Sequence, residues 1–160
     1  MKQFLLLAAF CFANILQAQK VAIKDFAKIN GAWKGSLTYL DYTSGKPFTM
    51  PANITAIVQN RFIILQYDYP QEPKANGNDT ININTEANTI DDALVTRRQL
   101  NTDGSLQIET EKKGKDGNDH KNAIIKHIYV ISDTLFVSRK EVKFTGEKKW
   151  IQRNEWRFHR

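Results

Sequence analysis

Apolar side chains fall on every second position along most of the chain. Phe48, Met50, Ala52, Ile54, Ala56 and Val58 form an unbroken series, and Thr49, Asn53, Thr55 and Gln59 take the alternate places. A period of two puts one face of an extended strand in a core and the other in water. Before this series, Trp33, Leu37 and Tyr39 share one parity in a strand ending near residue 42, and Thr43-Ser44-Gly45-Lys46-Pro47 turns the chain between the two. After it, Gln59-Asn60 supplies a tight turn into Ile63, Leu65, Tyr67 and Tyr69, which Pro70 stops. The first three strands therefore read as a meander.

Weaker strand signals cover 80–85 and 94–100, beyond the breaker-rich loop 70–79. Asn101-Thr102-Asp103-Gly104 leads into the alternating Leu106, Ile108 and Thr110. The polar loop 112–122 precedes a strand over 123–131, Ser132-Asp133-Thr134 turns into 135–144, and Thr145-Gly146-Glu147 turns into a last strand over 150–160. About nine short strands at regular spacing predict an all-β antiparallel barrel or sandwich. In the last two strands Phe136, Val142, Phe144, Trp150, Trp156 and Phe158 are even-numbered, whereas Arg139, Glu141, Arg153, Glu155 and Arg157 are odd. A tight turn at Gly146 pairs even with even, so the apolar set is expected inside and the charges outside. A helical period occurs once, where Ala22, Phe26 and Ile29 mark one face of a short helix that Asn30-Gly31 stops.

The first 18 residues read as an export signal: Lys2 gives the positive start, Phe4 to Phe12 the apolar run, and Ala18 a small residue at the cut. The run is too short to span a bilayer. The only cysteine, Cys11, lies within it, so a mature chain over 19–160 would hold no thiol, which excludes disulfides, Cys-His catalysis and thiolate metal sites from that part. That part is expected to be one domain, secreted or periplasmic. The formal charge of +6 is spread among acidic neighbours, which argues against nucleic acid and leaves an anionic envelope surface as a partner.

Gly31-Ala32-Trp33 after the short helix resembles the G-x-W motif that opens the first strand of lipocalins and related calycin barrels. The resemblance implies an up-and-down lipocalin-like barrel over 31–160 that binds a small apolar or amphiphilic molecule. It further implies that Trp33 closes one end against an arginine from the end of the sheet. Arg157 is the first candidate for that arginine, with Arg160 or Arg153 as fallback, because a guanidinium stacks well on an indole. Arg157 has the outward parity and would need a strand bulge, whereas Arg160 has the inward one.

No catalytic constellation, cofactor motif or metal site stands out. His120, His127 and His159 lack ligand spacing, and neither a nucleophile elbow nor a phosphate loop is present. Asp116-Gly117-Asn118-Asp119 begins like a calcium loop but continues with His120 and Lys121, so it reads as a solvated turn. An enzyme is not expected. If the barrel is hollow, a turn at Asp133-Thr134 sets Ile131 opposite Phe136, Tyr129 opposite Ser138 and His127 opposite Lys140. Then His127, Tyr129, Lys140 and Gln152 face inward beside the aromatic wall of Tyr39, Tyr67 and Trp156, and Arg98 joins from a neighbouring strand. Such a lining suits an amphiphile with an anionic head. One residue of slip would turn His127 and Tyr129 outward. The alternative is a barrel filled by its own side chains that acts through its surface loops on protein or polysaccharide.

Overall fold

The computed structural model describes residues 19–41 and 43–160, so the export-signal segment 1–18, with Cys11, lies outside the described residues. Ten antiparallel strands form one sheet: β1 (Gly31–Leu40), β2 (Pro47–Gln59), β3 (Phe62–Asp68), β4 (Gly77–Asn82), β5 (Thr89–Ile90), β6 (Ala93–Leu100), β7 (Leu106–Asp116), β8 (Lys121–Ile131), β9 (Leu135–Phe144) and β10 (Ile151–His159). Each strand pairs with its sequence neighbour except at β4/β5, and β1 pairs with β10, so the meander wraps into a nearly closed up-and-down barrel. The gap between β4 and β5 is narrowed by one bridge, Ile83 to Ile90, and by the Asp91 N–H donating to the Asn82 carbonyl at 3.0 Å. The two-residue β5 is the strand beyond the expected nine; a stretch that short carries no periodicity to detect.

A 3₁₀ helix, Ile23–Ile29, plugs one end. Phe26 and Ile29 on its inner face, with Val21 just before it, are fully buried against the barrel. Asp25 holds the plug from two sides. Its carboxylate accepts from the Ala22 N–H at 2.8 Å and from Arg98 of β6 at 2.7 and 2.9 Å. Trp33 lies directly above, 2 % exposed, with its Nε1–H donating to the Ile29 carbonyl at 2.7 Å. The arginine over its ring is Arg160, 4.1 Å from the centroid, which also donates to the Asn30 carbonyl. Arg157 is instead on the outer face, paired with Glu155 at 3.0 Å. Gly35 is needed here because a Cβ at that position would run into the Arg157 carbonyl, so β1 and β10 approach each other more closely than a side chain permits.

A β-bulge between Gln152 and Asn154 corrects the sequence reading of β10. Asn154, Trp156 and Phe158 keep the inward parity, but the extra residue inverts everything before it. Gln152 pairs with Glu141 and is exposed, Arg153 turns in, and Trp150 lies under the Lys126 and Lys143 ammoniums at 4.4 and 4.9 Å. Elsewhere the outer face carries the expected charge ladder, with Arg139 between Glu141 and Glu155 at 3.1 and 3.4 Å. Such exposed pairs add little stability singly but oppose edge-to-edge association.

Because Trp33 fills the space above the plug, Trp33→Ala should cost about 3–5 kcal/mol, measured by urea denaturation of the wild type and variant. A loss below about 1 kcal/mol would mean that the ring is not buried against the helix.

Candidate functional site

Three cross-strand rows of inward-facing residues grade the interior from one end to the other. The row nearest the plug is Gly35, Phe158, Phe136, Ile131 and Leu106, apolar throughout, and ends at the exposed Leu100. The next is mixed: Leu37, Trp156, Ser138, Tyr129, Ile108 and Arg98. The third is Tyr39, Asn154, Lys140, His127, Thr110 and Val95, and four of its six members are polar or charged besides the Tyr39 hydroxyl. Beyond it Ala123, Ile125 and Val142, with Phe144 against them, form a small second apolar cluster. A polar belt is thus enclosed between two apolar layers, far from the plug.

Asp116, at the open end of β7, is the electrostatic centre of this region. Its carboxylate accepts from Lys140 Nζ at 2.7 Å and from Arg153 Nε at 2.6 Å, and its side chain is 4 % exposed. Burial pushes the Asp116 carboxyl up, but the bonds and charges of Lys140 and Arg153 outweigh this and hold it below the ordinary carboxylate value. One carboxylate serving two cations leaves the trio with a formal charge of +1. Asp116 therefore spends both oxygens on side chains. A surface cleft of about 290 Å³ reaches Asp116 and Arg153 between Asp119, Lys121 and Phe144.

His127 lies between Thr110 and Lys140 in the row, with its ring 6.5 Å from that of Tyr129. Burial, and then the charges of Lys140 and Lys112, push its pKa below 6.5, so it is a neutral imidazole at pH 7. Burial likewise raises the Tyr67, Tyr69 and Tyr129 phenols, which remain protonated donors. The facing wall is aromatic: Tyr67 stacks on Tyr69 at 6.0 Å and tilts against Trp156 at 5.5 Å, while the Trp156 indole N–H donates to the Tyr69 hydroxyl at 3.2 Å. In the middle of the polar row the buried amide oxygen of Asn154 has no hydrogen-bond partner among the described residues. An acceptor left unmet in a barrel interior normally marks a place for a ligand or water.

Of the residues singled out from sequence, Tyr67, His127, Tyr129, Lys140 and Trp156 line this half of the barrel, and Tyr39 lies at its margin, 5.5 Å from the exposed Phe48 ring. The register of β8 on β9 is the one set by the Asp133-Thr134 turn. Arg98 does not join them. It belongs to the mixed row, but its guanidinium is committed to Asp25 on the plug, which no local pattern around Arg98 announces. Asp116, Arg153, Asn154 and Tyr69 are site residues that sequence reasoning did not select. Asp116 and Asn154 share the parity of Ile108 and Trp156 and were open to the same reading; Arg153 needed the bulge.

The fold and the lining together define a nearly closed antiparallel β-barrel with a row of polar, inward-facing residues above a plugged apolar end. No family model and no curated protein matches the chain. Among solved structures it is similar to Rv2717c from M. tuberculosis, a crystal structure, with a TM-score of 0.47 and 12 % identity, over 86 % of this chain and 96 % of that one.

Removing the shared carboxylate strands two cations in a largely buried setting. Asp116→Asn should therefore destabilise the fold by about 3 kcal/mol at pH 7, by urea denaturation. The wild type should lose this advantage as pH falls below 3.8 through the depressed folded value, whereas the variant's curve should be flatter there. For His127 the sign is the same in a different window. Below pH 6.5 the unfolded chain takes up a proton that the folded chain refuses, so stability falls with pH until the folded value is reached. His127→Gln should flatten this dependence below pH 6.5; an unchanged slope would place His127 in water.

Proposed function

We propose that this chain is an exported, lipocalin-like binding protein for a small amphiphile with an anionic head. The observation that carries the reading is the polar row Tyr39–Asn154–Lys140–His127–Thr110, which holds an unmet buried acceptor beside a net cationic trio. The head group receives a charge-assisted bond from Lys140, whose ammonium has three N–H donors and gives one to Asp116. His127, neutral at pH 7, and the protonated Tyr129 phenol offer further hydrogen bonds without adding charge. The apolar part of the ligand lies against Tyr67, Tyr69 and Trp156. The plugged base sets the depth, so the ligand enters from the end bearing the β7–β8 and β9–β10 turns. Export rests on the segment Phe4 to Phe12.

The test separates head-group recognition from simple apolar uptake. Calorimetric titration of the mature chain with dodecanoate and with dodecanol should give tighter binding of the acid. Lys140→Gln should weaken dodecanoate about tenfold, roughly 1.4 kcal/mol, and leave dodecanol unchanged. Equal losses for both would mean that Lys140 shapes the pocket rather than reading charge. Uptake of neither compound, with a bare mass in native mass spectrometry of protein from its own host, would favour a filled barrel acting through its loops.

A further inference from the structure

The open end of the barrel carries a second feature, on its outer surface. Residues 112–121 and 143–149, the tips of the β7–β8 and β9–β10 hairpins, hold seven lysines and three carboxylates. Two of the three carboxylates are spent locally: Asp116 on Lys140 and Arg153, and Asp119 on Lys121 at 3.1 Å. Glu147 is left to face Lys113, Lys115, Lys143, Lys148 and Lys149, none of which makes an ion pair with a described residue. Between the hairpins lies an open cleft of about 740 Å³, bordered by Lys113, Lys115, Lys143 and Glu147, with Ile124 and Phe144 in its lining.

The register explains why this patch is amphipathic rather than merely basic. Lys113, Ile124 and Lys143 are consecutive partners across β7, β8 and β9, so an isoleucine is flanked by two ammoniums on the outer face. Trp150 lies close by on the same face, with Lys143 at 4.9 Å from its ring. Binding a soluble polyanion requires the lysines alone. Aliphatic and indole surface interleaved with long cationic stems is the chemistry of a lipid interface, where the stems reach phosphates while the apolar groups rest at the head-group level. Among the described residues no helix is long and apolar enough to cross a membrane, so the contact is peripheral.

We propose that the outer face of the β7–β8 and β9–β10 hairpins docks on an anionic lipid bilayer. The proposal stands apart from the ligand reading, since none of Lys113, Lys115, Lys143, Lys148 and Lys149 lines the chamber. Where both hold, the chamber opens beside the surface that supplies its amphiphile.

The test is co-sedimentation of the mature chain with vesicles of phosphatidylcholine alone and with vesicles also holding about one-quarter phosphatidylglycerol. Binding is expected to the anionic vesicles only, and to fall at least tenfold when salt is raised to about 1 M, where the screening length shrinks to about 3 Å. Lys113→Glu/Lys115→Glu/Lys143→Glu should reduce vesicle binding at least tenfold and leave dodecanoate affinity as in the wild type. Lys148→Glu/Lys149→Glu, confined to an exposed turn, gives a second variant with the same expected direction should the triple variant fold poorly. Equal binding to neutral vesicles, or full binding by both variants, would overturn the proposal. So would retention on an immobilised acidic polysaccharide without vesicle binding, since that outcome assigns the lysines to a soluble polyanion.

Discussion

Everything inside this barrel depends on the pairing of the first strand with the last. From Lys34 opposite His159 to Tyr39 opposite Asn154, β1 and β10 run in unbroken register, and Gly35 lets the two backbones come together where a Cβ would collide. The pairing joins chain ends more than a hundred residues apart in sequence, so its loop-closure cost is offset only when the whole meander forms. Once made, it fixes the inward set of both strands and delivers Arg160 to the face of Trp33. The plug, the indole and the C-terminal guanidinium then form one sealed base, held laterally by Arg98 on Asp25.

The bulge at Arg153 is the second constraint, and it works against the first. Register with β1 requires Asn154, Trp156 and Phe158 to face inward, and strict alternation would then turn Arg153 out into the charge ladder. One inserted residue reverses this, so that a guanidinium enters the chamber and an indole leaves it. Bulges concentrate where a strand must re-aim a side chain, and here the re-aimed side chain is one of the two cations of the Asp116 trio. The same insertion places Trp150 among lysines on the outer surface, so a single backbone irregularity shapes both the chamber and the docking face.

This explains which parts of the molecule were legible in the sequence. Period-two patterning identified the long strands and the inward face of β8 and β9, because a half-buried strand must alternate and a two-residue turn sets register, and a helical period identified the short plug. His127 opposite Lys140 follows from those rules alone. Arg98 and Arg157 were misassigned for different reasons. Arg98 has the inward parity but meets an acidic partner on the plug, a contact 73 residues away that no local pattern encodes. Arg157 was the first candidate by resemblance although its parity is outward; it pairs with Glu155, and Arg160, with the inward parity, reaches Trp33. The bulge is invisible to periodicity, since one extra residue in a strand leaves each half perfectly alternating.

The buried trio has an energetic meaning that bears on binding. Desolvating Asp116, Lys140 and Arg153 together is costly, and a well-packed apolar trio of similar volume would generally be at least as stable. The barrel has the means to build such a layer, since it does so nearer the plug with Phe136, Phe158 and Ile131 and again above with Val142 and Ile125. A polar belt between two apolar layers is therefore not required by the fold. Neutral His127 and the unmet Asn154 oxygen lie in the same belt, and each lowers stability relative to an apolar residue of similar shape. Stability given up at these neighbouring positions is what a preformed polar site costs: groups already desolvated and held in place lose less on meeting a ligand.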